Sequence, residues 1–299
     1  MPFFSIVIPV YSRALLIEAT VNSVFEQVFD DYELIIVNDG SNDNTEEVIK
    51  GIPDLNKKII YIWQSNSERG AARNNGFKMA SGTYVIFLDS DDLITPEYLA
   101  TLYKKIMEQN FPNFITVKYL LRRNGKDSIS ALLRSLREGY YDINLQLRGS
   151  VFACNFALKK DNPALKLFVE DRNYSSSEDW MFIMQNLEHD RVYLIDKYMI
   201  IMNDHDNRSM RGNNMRIIKK HLLAAVWMER KISLTSKQKR ILWGYCYHFC
   251  AIYSYIDGKT GDTFQYLFKS VRLIGIGNAS ALLLIKNIIG YKLIQNLKR

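Results

Sequence analysis

Strand and helix signals alternate across the first ninety or so residues, with a polar loop after every strand, and no other feature restricts the fold of this chain as strongly. Ser5-Ile6-Val7-Ile8-Pro9-Val10 is a short β-branched run, followed from Leu15 to Phe29 by Leu16, Ala19, Thr20, Ser23 and Val24 at helical spacing. Glu33 to Val37 repeats the strand signal, runs into Asn38-Asp39-Gly40-Ser41, and leads to a helix over Thr45–Ile49. Ile59 to Trp63 is the third strand, with a helix near Ala71–Met79, and Tyr84 to Leu88 is the fourth. Right-handed crossovers need a helix between parallel neighbours, so this rhythm predicts an α/β fold, a mostly parallel, Rossmann-like sheet with helices on both faces. Ligands of such sheets bind beyond the carboxyl ends of the strands. Pro9-Val10-Tyr11, Asn38-Asp39-Gly40, Gln64 to Arg69 and Asp89 to Asp92 all follow strands and are expected to open toward one crevice.

Those loops contain no Gly-x-Gly-x-x-Gly and no Gly-x4-Gly-Lys-Ser/Thr, which weakens dinucleotide and P-loop readings. A divalent metal on oxygen ligands is another way to handle phosphate charge, because Mg²⁺ or Mn²⁺ binds through one or two carboxylates and the substrate's own oxygens. Asp89-Ser90-Asp91-Asp92 offers three carboxylates where a buried strand surfaces, and their mutual repulsion invites a cation. The plainer alternative is a helix N-cap ahead of Thr95-Pro96-Glu97, a role open to Asp92 in particular.

Downstream, Ser175-Ser176-Ser177-Glu178-Asp179-Trp180 precedes an apolar run and reads as a helix start, where acids are favoured by the positive helix end whatever else they do. His205 sits in the polar run Asp204 to Ser209, where a solvated bystander is the ordinary reading. Arg208 and Ser209 carry donors suited to diphosphate oxygens. Trp180 and Tyr174 suit stacking on a sugar face and core packing equally.

These stretches taken together, Ser5 to Tyr11, Val37 to Thr45, Asn66-Ser67-Glu68-Arg69-Gly70-Ala71-Ala72-Arg73-Asn74 and Leu88 to Asp92, resemble family 2 glycosyltransferases of the GT-A fold, over about the first 200 residues. The resemblance implies an inverting transfer from a UDP-sugar with a bound divalent metal, Mn²⁺ or Mg²⁺. It places Pro9, Val10, Tyr11, Arg13, Asp39, Asn66, Arg73, Asp89, Ser90 and Asp91 around the nucleotide-sugar, with Asp39 facing the base, Asp89 the ribose and Asp91 the metal. It also implies that Asp179 is the catalytic base, that Glu178 positions acceptor or base, and that His205 closes the metal site. An inverting displacement needs a base on the acceptor hydroxyl, opposite the departing UDP. The processive members' Gln-x-x-Arg-Trp does not occur, so one sugar per encounter is expected, in cell-surface polysaccharide or glycoconjugate assembly. A nucleotidyltransferase acting on sugar phosphates is the main rival, distinguished by release of pyrophosphate instead of UDP.

The 299 residues suffice for a large core and an appended region. The expected division is a catalytic domain over 1–210, with a nucleotide-binding half to 100 and an acceptor-binding half after it, then a helical basic region over 211–299. Residues 1–100 hold 7 Lys+Arg against 15 Asp+Glu, net −8, whereas residues 205–299 hold 17 against 4, net +13. A nucleic-acid binder would explain the basic end but not Asp39, Asp91 and Asp179, and the acidic first hundred residues would repel the phosphate backbone. Phe264 to Arg299 mixes Leu, Ile, Phe and Tyr with Lys269, Arg272, Lys286, Lys292, Lys298 and Arg299. That pattern suits an anionic bilayer surface, where a lipid-linked saccharide acceptor is reachable, and it suits plain helix packing too. Charges interrupt Leu273–Ile294, which disfavours a membrane span, and the N-terminal residues lack a leader's charge. Cys154, Cys246 and Cys250 form no framework, and two thiolates at helical spacing make no zinc set, so the expected location is cytoplasmic, including the cytoplasmic face of a membrane.

Overall fold

The computed structural model describes residues 1–53, 58–205 and 213–290. Two compact units account for the chain: one comprises Met1–Asp142, Phe152–Arg172 and His189–His205, and the other Ile143–Val151, Asn173–Glu188 and Asp206–Arg299. The boundary therefore differs from a single cut near residue 210, because the second unit takes two segments from inside the first unit's stretch of sequence.

The first unit opens with β1 (Phe4–Val10), α1 (Ile17–Phe25), β2 (Tyr32–Asn38), α2 (Thr45–Gly51), β3 (Ile59–Trp63), α3 (Glu68–Met79) and β4 (Tyr84–Phe87), in the expected order. β5 (Leu93–Ile94), α4 (Tyr98–Glu108), β6 (Phe114–Arg123), β7 (Lys126–Ser128), α5 (Ala131–Ser135) and β8 (Gly139–Tyr141) follow. The short α6 (Ile143–Gln146) belongs to the other unit. β9 (Phe156–Lys159) returns to the first, α7 (Glu178–Asn186) belongs to the second, and β10 (Val192–Asn203) closes the sheet. The strand order is β3-β2-β1-β4-β9-β6-β10-β5, with β7 on β6 and β8 on β10. β3, β2, β1 and β4 are parallel. Beyond β4 the sheet is mixed: β9 runs antiparallel to β4 and β6, and β6 and β10 are parallel.

Side chains of a strand alternate between faces, and β1 shows what covers each. Phe4, Ile6, Ile8 and Val10 join a core with Ile17, Val21 and Val24 of α1, Ile49 of α2 and Leu99, Leu102 and Ile106 of α4. On the opposite face, α3 lies so close that a Cβ on Gly76 would stand 2.3 Å from Val7 Cγ1. Helices thus cover both faces. α1 stops at Phe25, short of the expected Phe29, because the Gln27 side chain donates to the Ser23 and Thr95 carbonyls and the Val28 N–H to the Pro96 carbonyl.

In the second unit α6 and α7 accompany α8 (Asn214–Lys231), α9 (Ser236–Ile256), α10 (Thr260–Ile274) and α11 (Asn278–Ile289). Thr235 and Gln238 form a full capping box at the head of α9. Ala251, Tyr255, Leu267 and Leu283 make a small core where α9, α10 and α11 meet. Among the described residues no helix is long and apolar enough to cross a membrane.

Candidate functional site

The loops after β1 and β2 are joined before any side chain is considered, since the Asp39 N–H donates to the Val10 carbonyl at 2.8 Å. Pro9 and Val10 are buried at the end of β1. Farther out, the Ser12 N–H donates to Ser41 Oγ and the Arg13 N–H to Thr45 Oγ1, both at 2.9 Å. Asn42 Nδ2 donates to the Tyr11 hydroxyl at 3.1 Å. Asp43 belongs to the same lattice: partial burial pushes its carboxyl up, but donors from the Thr45 hydroxyl and the Ala14 and Thr45 amides outweigh that and hold it below its usual value.

Asp39 is buried at 3% exposure. Its Oδ1 accepts from Gln64 Nε2 at 2.7 Å and from the Ser67 N–H at 2.8 Å, and Asn66 Nδ2 reaches Oδ2 at 3.3 Å and the Asp39 carbonyl at 3.1 Å. These donors fix the direction of the carboxylate. The approach of the two loops depends on Gly40, whose φ is +72° and where a Cβ would lie 2.8 Å from the Asn66 nitrogen.

α3 presents Gly70, Ala72, Arg73, Asn74 and Gly76 inward, a small and polar set unlike a core-facing stripe. Arg73 is fully buried and its Nη2 meets Asp89 Oδ1 at 2.6 Å, so a carboxylate at the end of β4 is paired with a cation on the neighbouring helix. The guanidinium carbon stands 5.2 Å from the centre of the Phe168 ring. Asn74 brackets the Phe168 backbone, donating to its carbonyl and accepting from its N–H at 2.9 Å each, and also donates to Glu170 at 2.8 Å. Arg172 donates to Asn66 Oδ1 at 2.9 Å and to its carbonyl. Residues 168–172 therefore strap α3 and the loop ahead of it, a feature no motif announced.

Asp89, Asp91 and Asp92 each present a carboxylate oxygen within 4.8 Å of the others. His205 Nε2 lies 2.8 Å from Asp91 Oδ2, and Arg13 Nε 3.7 Å from the same oxygen. Asn203, at the end of β10, donates from Nδ2 to the Asp91 carbonyl at 2.6 Å and from its N–H to Asp92 Oδ1 at 3.2 Å. A cluster of hard oxygen donors beside an imidazole fits Mg²⁺ or Mn²⁺. Asp92 corrects the sequence reading: it caps no helix. Leu93 and Ile94 form β5, α4 begins only at Tyr98, and Asp92 is buried against β10. Ser90 is also buried. Arg208 and Ser209 lie outside the described residues.

Glu178 and Asp179 begin α7 in the second unit, where two acids suit the positive helix end. Glu178 is buried at 2% exposure and Asp179 half-buried. Ser177 stands at the cap position, its Oγ 3.3 Å from His221 Nδ1. Trp180 is at the helix core and offers no face to a sugar: its Nε1–H donates to the Gln146 carbonyl at 2.7 Å, and its ring stacks on His221 at 4.6 Å. His221 is in turn stacked on Phe249 at 3.8 Å, and burial pushes its imidazole down to about 3. Tyr174 is half-buried.

Several of these residues escaped sequence reasoning. Gln64 lies in a loop that reads only as polar, Asn203 directly precedes the loop holding His205, Ser67 and Asn74 belong to the stretch that carries the resemblance but receive no role from it, and Phe168 carries no signal.

Comparison with known proteins bears on the same region. Residues 5–156 match the family described as Glycosyl transferase family 2. The chain is 40% identical over 104 residues to "Glycosyltransferase GlyA" of Streptococcus pneumoniae serotype 4, covering 35% of this chain and only 15% of that protein. It is 26% identical over 309 residues to "GalNAc(5)-diNAcBac-PP-undecaprenol beta-1,3-glucosyltransferase" of Campylobacter jejuni subsp. jejuni serotype O:2, an alignment covering 100% of this chain and 97% of that protein. Residues 1–349 of S. aureus TarS, solved with UDP-GlcNAc, superpose with a TM-score of 0.70 at 19% identity, covering 95% of this chain and 88% of that one, a likeness of fold.

Proposed function

Because the chain belongs to glycosyl transferase family 2, and is thus a glycosyltransferase, we propose that it is an inverting, non-processive enzyme moving one sugar from a UDP-sugar to an acceptor hydroxyl. The observation that carries this reading is the gathering of Asp39, Asp89 and Asp91 at the carboxyl ends of β2 and β4, with Asp89 paired to Arg73 of α3, all inside the matched segment. Asp39, held by Gln64 and Ser67, presents a fixed acceptor to a base's N–H. Arg73 orients Asp89 toward the ribose, and Asn66 and the loop from Tyr11 to Arg13 complete the nucleoside contacts. Asp91, with His205 beside it, is the group that would hold Mn²⁺ or Mg²⁺. What such an ion supplies when bound is compensation for negative charge growing on the departing diphosphate. Arg13 brings a second positive charge to the same carboxylate.

Asp179 is the proposed base: it takes the proton of the acceptor hydroxyl as that oxygen bonds to the anomeric carbon and the bond to UDP breaks. Glu178 positions acceptor or base. Support comes from their place in the first turn of α7 and from the order of the acids along the sequence. The setting proposed is cell-surface polysaccharide or glycoconjugate assembly, with a glycan or lipid-linked saccharide as acceptor, at the cytoplasmic face of a membrane. A relative matched along 97% of its length is named for an undecaprenol-linked substrate, which favours the lipid-linked alternative.

A screen of nucleotide sugars for acceptor-dependent UDP release, with stereochemistry of the product read by anomeric proton coupling, tests the reading. Retention of configuration, or pyrophosphate as the by-product, would overturn it. Asp179→Asn is expected to bind UDP-sugar as wild type does while losing transfer, and undiminished turnover would remove Asp179 from the role.

A further inference from the structure

The outer faces of α10 and α11 have no partner among the described residues, and their chemistry is uneven in a telling way. Both helices turn a buried stripe to the small core they share with α9: Thr263, Leu267 and Ser270 from α10, and Ser280, Leu283 and Asn287 from α11. A soluble helix would carry polar residues on the opposite side. Here α10 carries Phe264 and Phe268 one turn apart, the latter 70% exposed, and α11 carries Leu282, Ile285 and Ile289 at helical spacing, with Ile288 69% exposed. Ile276, in the connection between them, is 66% exposed. Lys269, Arg272 and Lys286 stand on the same two helices, and residues 214–290 hold 12 Lys+Arg against 3 Asp+Glu.

From this pairing of bulky apolar side chains with a net positive charge, Lys269, Arg272 and Lys286 against Asp262 on the two helices, we infer that the outward side of α10 and α11 is a docking surface for an anionic phospholipid bilayer. Apolar side chains enter the acyl boundary while basic ones meet phosphate headgroups, as for helices lying in the interface plane. The sign of the charge selects this occupant over a second copy of the chain, which would bring an equal positive field against the first. The inference deepens the membrane-side reading above, and its deciding readout is vesicle partition, with no turnover needed, so the two can fail separately.

The experiment is co-sedimentation of the full chain with vesicles of phosphatidylcholine alone or with about 30 mol% phosphatidylglycerol. Wild type is expected to pellet with the anionic vesicles, less so as NaCl rises from about 0.1 to about 0.5 M. The triple variant Phe268→Ser, Ile285→Ser, Ile288→Ser should partition at least tenfold less, with the thermal midpoint unchanged because all three side chains are exposed. Arg272→Glu with Lys286→Glu should lose the preference for anionic vesicles, and it keeps the test alive if the triple variant folds poorly. Wild type remaining in the supernatant, or both variants pelleting like wild type, would overturn the proposal. So would a wild-type oligomer, seen by equilibrium sedimentation without vesicles, that the apolar substitutions disperse.

Discussion

Lowering the pH should destabilise the second unit through one side chain. His221 is sandwiched between Trp180 and Phe249 and its imidazole is pushed by burial from 6.5 to about 3. Between those values the unfolded chain binds a proton that the native state does not, so stability falls as pH falls, by about 1.4 kcal/mol per pH unit. Above 6.5 the ring is neutral in both states and contributes no slope. From pH 6.5 to pH 5 the expected loss is about 2 kcal/mol, continuing down toward pH 3. The control is His221→Phe, which keeps an aromatic ring in the stack and gives up the contact to Ser177. Urea unfolding followed by tryptophan fluorescence is well placed to read the difference, because Trp180, Trp227 and Trp243, three of the four tryptophans, belong to this unit. Contributions from every group the two proteins share cancel in the subtraction. If the stabilities of wild type and variant run parallel between pH 7 and pH 5, the buried neutral imidazole is not what the packing implies.

Gly40→Ala combines a left-handed φ with a 2.8 Å approach to the Asn66 nitrogen, so a stability loss of roughly 1–3 kcal/mol and weaker UDP binding are expected by thermal shift and calorimetry. Trp180→Phe removes the donor to the Gln146 carbonyl and should cost about 1–3 kcal/mol, with the thermal midpoint falling; a midpoint equal to wild type would contradict the core assignment. Asp91→Asn should abolish the dependence of donor binding on Mn²⁺ measured by isothermal titration, and chelator should reduce wild-type binding to the level of that variant.

Parallel strands buried on both faces appear in sequence as continuous apolar runs, which is why β1 to β4 were legible to within a residue or so. α3 starts at Glu68, ahead of the Ala71 its sequence suggests, because its first residues are polar and Glu68 adopts a φ of +73°, neither of which resembles a helix start. The mixed half of the sheet had no such rhythm: β9 and β10 reach their neighbours through long connections, so nothing local in residues 101–204 announces their pairing. Carboxylates were easy to notice because three acids in four residues are conspicuous. Gln64, Asn74 and Asn203 were not, since an amide that brackets a backbone or orients an acid needs no particular spacing. Trp180 beside an acid pair is compatible with a sugar platform or a core, and only its neighbours decide.

The long sequence separation between paired elements has a consequence for how the chain comes off the ribosome. Among the described residues β5 pairs with β10 alone, so Ile94 waits for Ile200 before its strand can join the sheet, roughly 5–20 s at ordinary elongation rates. The wait at α7 is similar in kind, since Trp180 and Ser177 are exposed until His221 and then Phe249 have been made. Leu93 and Ile94, and later Trp180, lack their native partners for that interval, so chaperones that hold nascent chains should engage the chain while residues 94 to about 250 are being made. A synonymous change that slows translation there would raise aggregation without altering a single contact of the finished protein.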